Sequence, residues 1–97
     1  MAATYTLTVR CHGSDGEPIP GAMVTAQLER AAWTDDGLIA PTPIEATADA
    51  QGHAPLMLVP SDDPQYRITV RTPEGRLLES RMIAMPEADT TLSAVVG

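Results

Sequence analysis

Hydrophobic and polar residues alternate with a period of two in three separate segments of this chain. The clearest segment is 4–11, in which one face carries Tyr5, Leu7, Val9 and Cys11. The alternation returns at 22–30, with Val24, Ala26 and Leu28 on one face, and at 65–71, with Tyr66, Ile68 and Val70. Such alternation is typical of β-strands with one buried face, whereas apolar residues in a helix recur every three to four positions. The pattern therefore predicts three strands with assigned inward faces.

Glycine and proline divide the rest of the chain into short extended segments. The segment 12–21 is predicted to be a loop, in which Asp15-Gly16 forms a tight turn with positive φ at the glycine. A hairpin is predicted from strands at 44–48 and 53–59, and Pro55 predicts a sheet edge or a bulge at that end of the second strand. Connections are predicted at 31–43, with a short strand near 38–40, and at 60–64. The segment 76–85 is predicted to be a strand, and 90–96 a strand or a short helix.

These segments together predict the fold class. Short strands separated by turns rich in Gly and Pro are typical of an all-β sandwich. We expect a sandwich of about seven short, mostly antiparallel strands. A chain of 97 residues accommodates one such domain, spanning 1–97.

Composition alone points toward disorder. Leu, Ile, Val and Phe make up 19 of the 97 residues, and 13 acidic against 6 basic residues give a net charge of −7. Few large apolar residues with a high net charge are typical of disordered chains. The aliphatic residues, however, concentrate at the inward positions of the alternating segments. We therefore expect a folded domain with a thin core, in which methionines fill the gaps left by the absence of Phe.

Several classes of protein are excluded by simple criteria. No apolar run reaches the length of about 18 residues that a transmembrane helix requires. The start of the chain, MAATYTLTVR, lacks the basic and apolar regions of a secretory signal. One cysteine cannot form a disulfide framework. The negative charge argues against a nucleic-acid partner, because binding to phosphates needs clustered basic residues. We expect no membrane partner either.

Two short motifs resemble those of a known group of β-sandwich modules. The sequence GEPIPGAMVTA at 16–26 resembles the G-x-P-x-x-G-A-x-V-x-A signature of transthyretin-like and carboxypeptidase-regulatory-like domains. The sequence ADAQGHA at 48–54 resembles their second signature, T-D-x-x-G-x-A, with Ala48 in place of the usual Thr. The resemblance implies a transthyretin- or immunoglobulin-like β-sandwich. It also implies that five residues form the turns that define this fold: Gly16, Pro18, Gly21, Asp49 and Gly52.

The second half of the chain is similar to small β-sandwich modules of tailed-phage virions. The similar segments are YRITV at 66–70, PEGRLL at 73–78 and MPE at 85–87. Such modules occur in tail fibres, baseplates and head-decoration proteins. The resemblance implies a non-enzymatic structural or interaction protein of the virion, with protein partners in symmetric multiple copies and without a cofactor or metal. The alternative location is the cytoplasm.

Two other functions are alternatives. The transthyretin-like group includes an enzyme, 5-hydroxyisourate hydrolase, with functional His and Arg residues and a C-terminal Tyr-Arg-Gly-Ser motif. This chain ends in LSAVVG, and His12 and His53 stand beside glycines in predicted turns, so we expect no enzyme. Cys11 lies on an inward face without a neighbouring base, which predicts a buried, inert thiol. The other alternative, a carbohydrate- or cell-surface-binding module for a host glycan, needs exposed aromatic residues, and only Trp33 lies outside the inward positions.

The segment 31–43 supplies the candidate contacts with a partner. Trp33 is the only tryptophan and precedes the acidic pair Asp35-Asp36. Exposed aromatic residues are enriched at interfaces, and packing into the core is the alternative for Trp33. We expect Trp33, Asp35 and Asp36 to lie near a partner surface. Either acidic pair, Asp35-Asp36 or Asp62-Asp63, could supply ligands to a calcium ion. Neither pair continues into the alternating acidic pattern of a calcium-binding loop, so we expect both pairs to be solvated surface charges.

Overall fold

The described part of the chain is built from nine β-strands. A computed structural model describes residues 4–13, 15–34 and 37–96, and no helix occurs among them. The strands are β1 (Tyr5–Gly13), β2 (Met23–Leu28), β3 (Ala32–Thr34), β4 (Gly37–Ile39), β5 (Ile44–Thr47), β6 (His53–Leu58), β7 (Ser61–Arg71), β8 (Leu77–Met85) and β9 (Thr90–Val96). The predicted all-β fold is therefore confirmed.

These strands form two main sheets and one small hairpin. A three-stranded sheet has the order β6-β1-β9, in which β6 runs antiparallel and β9 parallel to β1. A four-stranded antiparallel sheet has the order β5-β2-β7-β8. The strands β3 and β4 pair with each other as a separate hairpin. The result is a sandwich of mostly antiparallel strands.

One hydrophobic core lies between the two main sheets. The three-stranded sheet contributes Leu7, Val9, Cys11, Ala54, Leu56 and Leu58, and the four-stranded sheet contributes Val24, Ala26, Leu28, Tyr66, Ile68 and Val70. None of these side chains is more than 4% exposed. They occupy alternate positions of β1, β2, β6 and β7, so the inward faces that the period-two pattern predicts are confirmed. Burial of this apolar surface is the main source of stability.

The sandwich has two different ends. The residue pairs Met23↔Arg71 and Leu28↔Tyr66 show that β2 runs from one end of the four-stranded sheet to the other. The hairpin β3–β4 follows β2, and we call that end the hairpin end. The loop 12–22 and the turns 48–52 and 72–76 lie at the opposite end, which we call the turn end.

Two predictions about connections are wrong. The strands at 44–48 and 53–59 do not form a hairpin with each other, because β5 pairs with β2 in the four-stranded sheet and β6 pairs with β1 in the three-stranded sheet. The segment 60–64 is not a loop, because β7 begins at Ser61, which pairs with Met85 of β8. Prolines and adjacent aspartates usually interrupt strands, but here Pro64 is buried and follows a cis peptide bond. In the segment 31–43 the predicted short strand is present as β4, but it pairs with β3, a strand that the sequence does not predict.

Two further expectations are resolved by the positions of β9 and of the methionines. The segment 90–96 is a strand, and its backbone pairs with β1. The methionines do not all fill the core. Met85 is buried, but Met23 is 37% and Met57 is 54% exposed. The prediction of gap filling is therefore wrong for Met23 and Met57.

Candidate functional site

The two sequence motifs meet at the turn end of the sandwich. The Gly21 N–H donates a hydrogen bond to the Ala48 carbonyl oxygen at 2.9 Å, and the Ala48 N–H donates to the Ala22 carbonyl oxygen at 2.8 Å. Pro18 of the first motif forms a β-bridge with His12 in β1. The motifs are therefore bonded to each other and to the first strand.

Three glycines of these motifs, Gly16, Gly21 and Gly52, have backbone conformations that favour glycine. Gly16 has a φ of +83° and Gly52 a φ of +80°, a region that other residues rarely adopt. The chain turns at Gly16, where no atom lies within 4 Å of the position that an added Cβ atom would take. Gly52 lies directly against the end of β1, where an added Cβ atom would overlap the Cys11 carbonyl oxygen and approach the Pro18 Cβ atom to 3.1 Å.

Asp49 closes the turn of the second motif. Its Oδ1 atom accepts hydrogen bonds from the backbone N–H of Gln51 at 2.9 Å and of His53 at 3.0 Å. The bond from His53 and then that from Gln51 stabilise the charged carboxylate and lower the pKa of Asp49 below its ordinary value. The carboxylate is thus engaged within its own turn, as expected for a residue that shapes the fold.

The second candidate region is the β3–β4 hairpin. Trp33 and Leu38 are direct partners in its register, so their side chains lie on the same face. Trp33 is 80% and Leu38 is 55% exposed. On the other face, the partners Ala32 and Ile39 pack against the core. Trp33 does not pack into the core, so the hairpin presents an exposed apolar pair, which we call the hairpin surface.

An ion pair connects the hairpin to the four-stranded sheet. Arg30 directly precedes the hairpin, and its Nη2 atom donates to Asp63 Oδ1 of β7 at 2.6 Å. Its Nη1 atom donates to Glu29 Oε1 at 2.7 Å. The hydrogen bond to Asp63, followed by the charge of that carboxylate, raises the pKa of Arg30 above its ordinary value. Asp63 of the second acidic pair is therefore paired with Arg30, and both side chains are exposed to solvent.

The remaining candidate residues occupy separate positions. Asp35 and Asp36 lie outside the described residues. Cys11 is buried in the core, and burial raises the pKa of its thiol, as the prediction of an inert cysteine requires. Within the described ranges, no three His, Cys, Asp or Glu side chains are grouped so that they could hold a metal ion.

A further exposed group, which the sequence does not predict, lies on the outer face of the four-stranded sheet. Arg71 pairs with Met23 on one side and, directly after a shift in the β7–β8 register, with Leu77 on the other, so the three residues form a row across the sheet. Met23 is 37% and Leu77 is 52% exposed. The three residues come from β2, β7 and β8, and only the register of those strands brings them together. We call this group the Arg71 row.

The two main sheets leave an apolar groove between their edge strands β8 and β9. The groove has a volume of about 520 Å³, and its lining includes Leu7, Ile83, Met85 and Leu92. On the opposite side of the sandwich, the turn of Asp49 connects the edge strands β5 and β6. The groove is therefore the open side of the sandwich.

Two comparisons of this chain with known proteins found no relative. A scan of the chain against models of protein families finds no match, and a search of curated proteins finds none either. In the described part of the chain, no helix is long and apolar enough to cross a membrane. The class that the fold defines is thus an all-β sandwich with an exposed apolar hairpin at one end.

Proposed function

We propose that this chain is a non-enzymatic structural and interaction protein of a phage or phage-like particle, as a capsid-decoration or tail or fibre component. The observation that carries the proposal is the hairpin surface. Trp33 and Leu38 are exposed side by side on an element whose other face is held by the core. Rigid, exposed aromatic side chains of this kind are typical anchors of protein interfaces, because they bury a large area at little cost in entropy.

The similarity of the segments 66–70, 73–78 and 85–87 to β-sandwich modules of tailed-phage virions supports the particle as the setting. The residues of the two turn motifs bond with each other at the opposite end from the hairpin. A net charge of −7 on a small domain favours solubility at the high copy number that assembly of a particle requires. In the proposed role, the sandwich is a rigid support and the hairpin surface contacts a neighbouring subunit.

The distribution of aromatic residues disfavours the glycan-binding alternative. Sugar-binding surfaces usually stack several aromatic side chains against the ligand, and this chain has three aromatic residues. Tyr66 is buried, and its hydroxyl donates to the Val59 carbonyl oxygen at 2.8 Å. Tyr5 packs against the core. Trp33 therefore has no aromatic neighbour on the surface.

Purified particles provide the test of this proposal. Particles from the strain that encodes the chain are analysed by quantitative mass spectrometry, with wild type, Trp33→Ala or Met57→Ala supplied as the only copy. We expect the wild type and Met57→Ala, which removes another exposed side chain, in a constant ratio to the major subunit. We expect folded Trp33→Ala to be lost from the particles. Absence of the wild-type chain would contradict the particle setting, and normal incorporation of Trp33→Ala would contradict the role of the hairpin.

A further inference from the structure

We propose that the hairpin surface of one copy of this chain docks on the Arg71 row of a second copy. The inference rests on the proposed function and names one partner of the hairpin, namely another molecule of the same chain. The two surfaces differ, so the contact joins copies head to tail. Contacts of this kind close into a ring or extend into a filament, depending on the rotation between neighbours.

The first argument is the composition of the two surfaces. Cations bind favourably over the face of an indole ring, and methionine sulfur also makes favourable aromatic contacts. Arg71 is flanked by Met23 and Leu77, so the row offers a cation between two exposed apolar side chains. A depression of about 200 Å³ beside the row is lined by Met23, Arg71 and Glu45, among others, and Glu45 forms no ion pair with Arg71 among the described residues. An exposed tryptophan can therefore contact the Arg71 guanidinium through its ring face and the Met23 sulfur through its ring edge.

The second argument is that Arg71 is not engaged by an acidic side chain. Its Nη1 atom donates to the Gly75 carbonyl oxygen at 3.2 Å. Among the described residues, no carboxylate forms an ion pair with it. By contrast, Arg30 and Arg81 are paired with carboxylates of their own molecule. Arg71 is therefore an accessible positive charge on a chain that carries −7 overall.

The third argument is the complementary charge of the two surfaces. The hairpin end carries five carboxylates and one arginine among the described residues: Glu29, Asp62, Asp63, Glu87, Asp89 and Arg30. The outer face of the four-stranded sheet carries the opposite balance, with Arg67 and Arg71 against Glu45. Docking of the hairpin end on this face brings unlike charges together, and complementary charge orients protein association.

The fourth argument is distance, which makes the contact intermolecular. Met23 is the first residue of β2, and the hairpin begins only after the last, so β2 alone separates the two surfaces by roughly 17 Å. The core holds Ala32 and Ile39 of the hairpin at its own end. Trp33 therefore cannot reach the Arg71 row of its own molecule, and the two surfaces remain available to different copies.

The experiment measures self-association of the purified chain by sedimentation velocity over a range of concentrations. We expect the wild type to form dimers and larger species as the concentration rises. Trp33→Ala and Arg71→Glu are each expected to weaken the association at least about tenfold. The matched control is Arg67→Glu, which changes the charge equally on the same strand and face but outside the row, and it is expected to associate more strongly than Arg71→Glu.

Mixing the two defective variants tests the head-to-tail contact directly. Trp33→Ala retains an intact Arg71 row, and Arg71→Glu retains an intact hairpin surface. At concentrations at which each variant alone is monomeric, an equimolar mixture is expected to form a 1:1 dimer that does not grow further. A wild type that remains monomeric at all concentrations would overturn the proposal, as would a mixture that contains only monomers. Circular dichroism confirms that each variant is folded.

The two proposals fail in different ways. If the wild type stays monomeric but Trp33→Ala is lost from particles, copies do not contact each other and the hairpin binds another subunit. If the mixture forms the 1:1 dimer but the chain is absent from particles, the copy-to-copy contact stands and the particle setting is wrong.

Discussion

The backbone N–H of Cys11 donates a hydrogen bond to the carbonyl oxygen of Gly52, at an N···O distance of 2.7 Å. The carbonyl oxygen of Cys11 in turn accepts a hydrogen bond from Ile19 at 3.0 Å. The end of β1 is thereby connected to both sequence motifs. Position 52 requires glycine for two reasons: its φ is positive, and a Cβ atom there would overlap the Cys11 carbonyl oxygen.

Replacement of Gly52 by alanine is expected to destabilise the fold by at least about 3 kcal/mol, because strained backbone and overlap with β1 act together. Gly16→Ala is the matched control. Gly16 has a similar φ of +83° but no atom within 4 Å of the added Cβ position, so about 1 kcal/mol is expected from strain alone. Urea unfolding of both variants gives the two free energies. Equal losses would show that Gly52 does not pack against β1 as described.

The hydrogen bonds to Asp49 predict a dependence of stability on pH. The pKa of Asp49 is lowered in the folded state, so its ionised form stabilises the fold above the unfolded pKa of about 3.9. This contribution is lost as the pH falls through the lower folded pKa. Asp49→Asn keeps a neutral acceptor oxygen but not the charge, so its melting temperature should lie below that of the wild type at pH 7.

The difference between wild type and Asp49→Asn should shrink at low pH, where the wild-type carboxyl is neutral as well. Asp49→Ala removes the acceptor oxygen and therefore remains less stable than the wild type at both pH values. Melting curves at neutral and acidic pH measure all three proteins. A constant difference between wild type and Asp49→Asn would contradict the role of the charge.

The buried hydroxyl of Tyr66 predicts a cost for its removal. Tyr66 is 3% exposed, and its hydroxyl donates to the Val59 carbonyl oxygen between β6 and β7. Tyr66→Phe leaves this carbonyl oxygen without that donor, so a loss of about 1–2 kcal/mol is expected. Tyr5→Phe is the control, because the Tyr5 hydroxyl has no hydrogen bond within the described residues. Denaturant unfolding of the two variants should separate them clearly.

The burial of Cys11 predicts slow reaction with thiol reagents. The side chain is fully buried, and burial raises the pKa of the thiol, which lowers the fraction of reactive thiolate. A disulfide reagent should therefore label the folded chain only as fast as it unfolds. The control is Arg10→Cys in a Cys11→Ala background, which places a thiol at the exposed neighbouring position. Rapid labelling of wild-type Cys11 would contradict its burial.

The exposure of Trp33 predicts a small effect on stability and a sensitive fluorescence signal. With 80% of the residue exposed, Trp33→Ala should change the free energy of unfolding by no more than about 0.5 kcal/mol. The single tryptophan of the monomer should emit at the wavelength of a solvated indole and be quenched readily by acrylamide. Self-association should shift the emission to the blue and protect it. A blue-shifted monomer would place Trp33 in the core.

The strands whose faces were predictable are those in which alternation is a local property. In β1, Leu7, Val9 and Cys11 lie two residues apart, and successive side chains of any strand point to opposite faces. The same reasoning applies to Val24 and Ala26 in β2. The turns at Gly16 and Gly52 follow from the conformational freedom of single residues. These features depend on neighbours in the chain and require no knowledge of the partner strand.

The elements that escaped prediction depend on distant residues. β7 begins at Ser61 because this residue pairs with Met85, which overrides the tendency of prolines and aspartates to interrupt a strand. The hairpin β3–β4 is only three residues long on each side, too short to show a period. The sequence of 90–96 is compatible with a strand or a short helix. The segment forms a strand because its backbone pairs with the parallel strand β1.

The sequence by itself determined an all-β chain, its inward faces and the turns that its glycines permit, because period and backbone freedom are local. Only the tertiary structure decided which side chains share a surface. The hairpin places Trp33 opposite Leu38, and the register of three strands places Arg71 between Met23 and Leu77. Strand pairing joins residues far apart in the chain through competition among many possible registers, and no local pattern encodes its outcome.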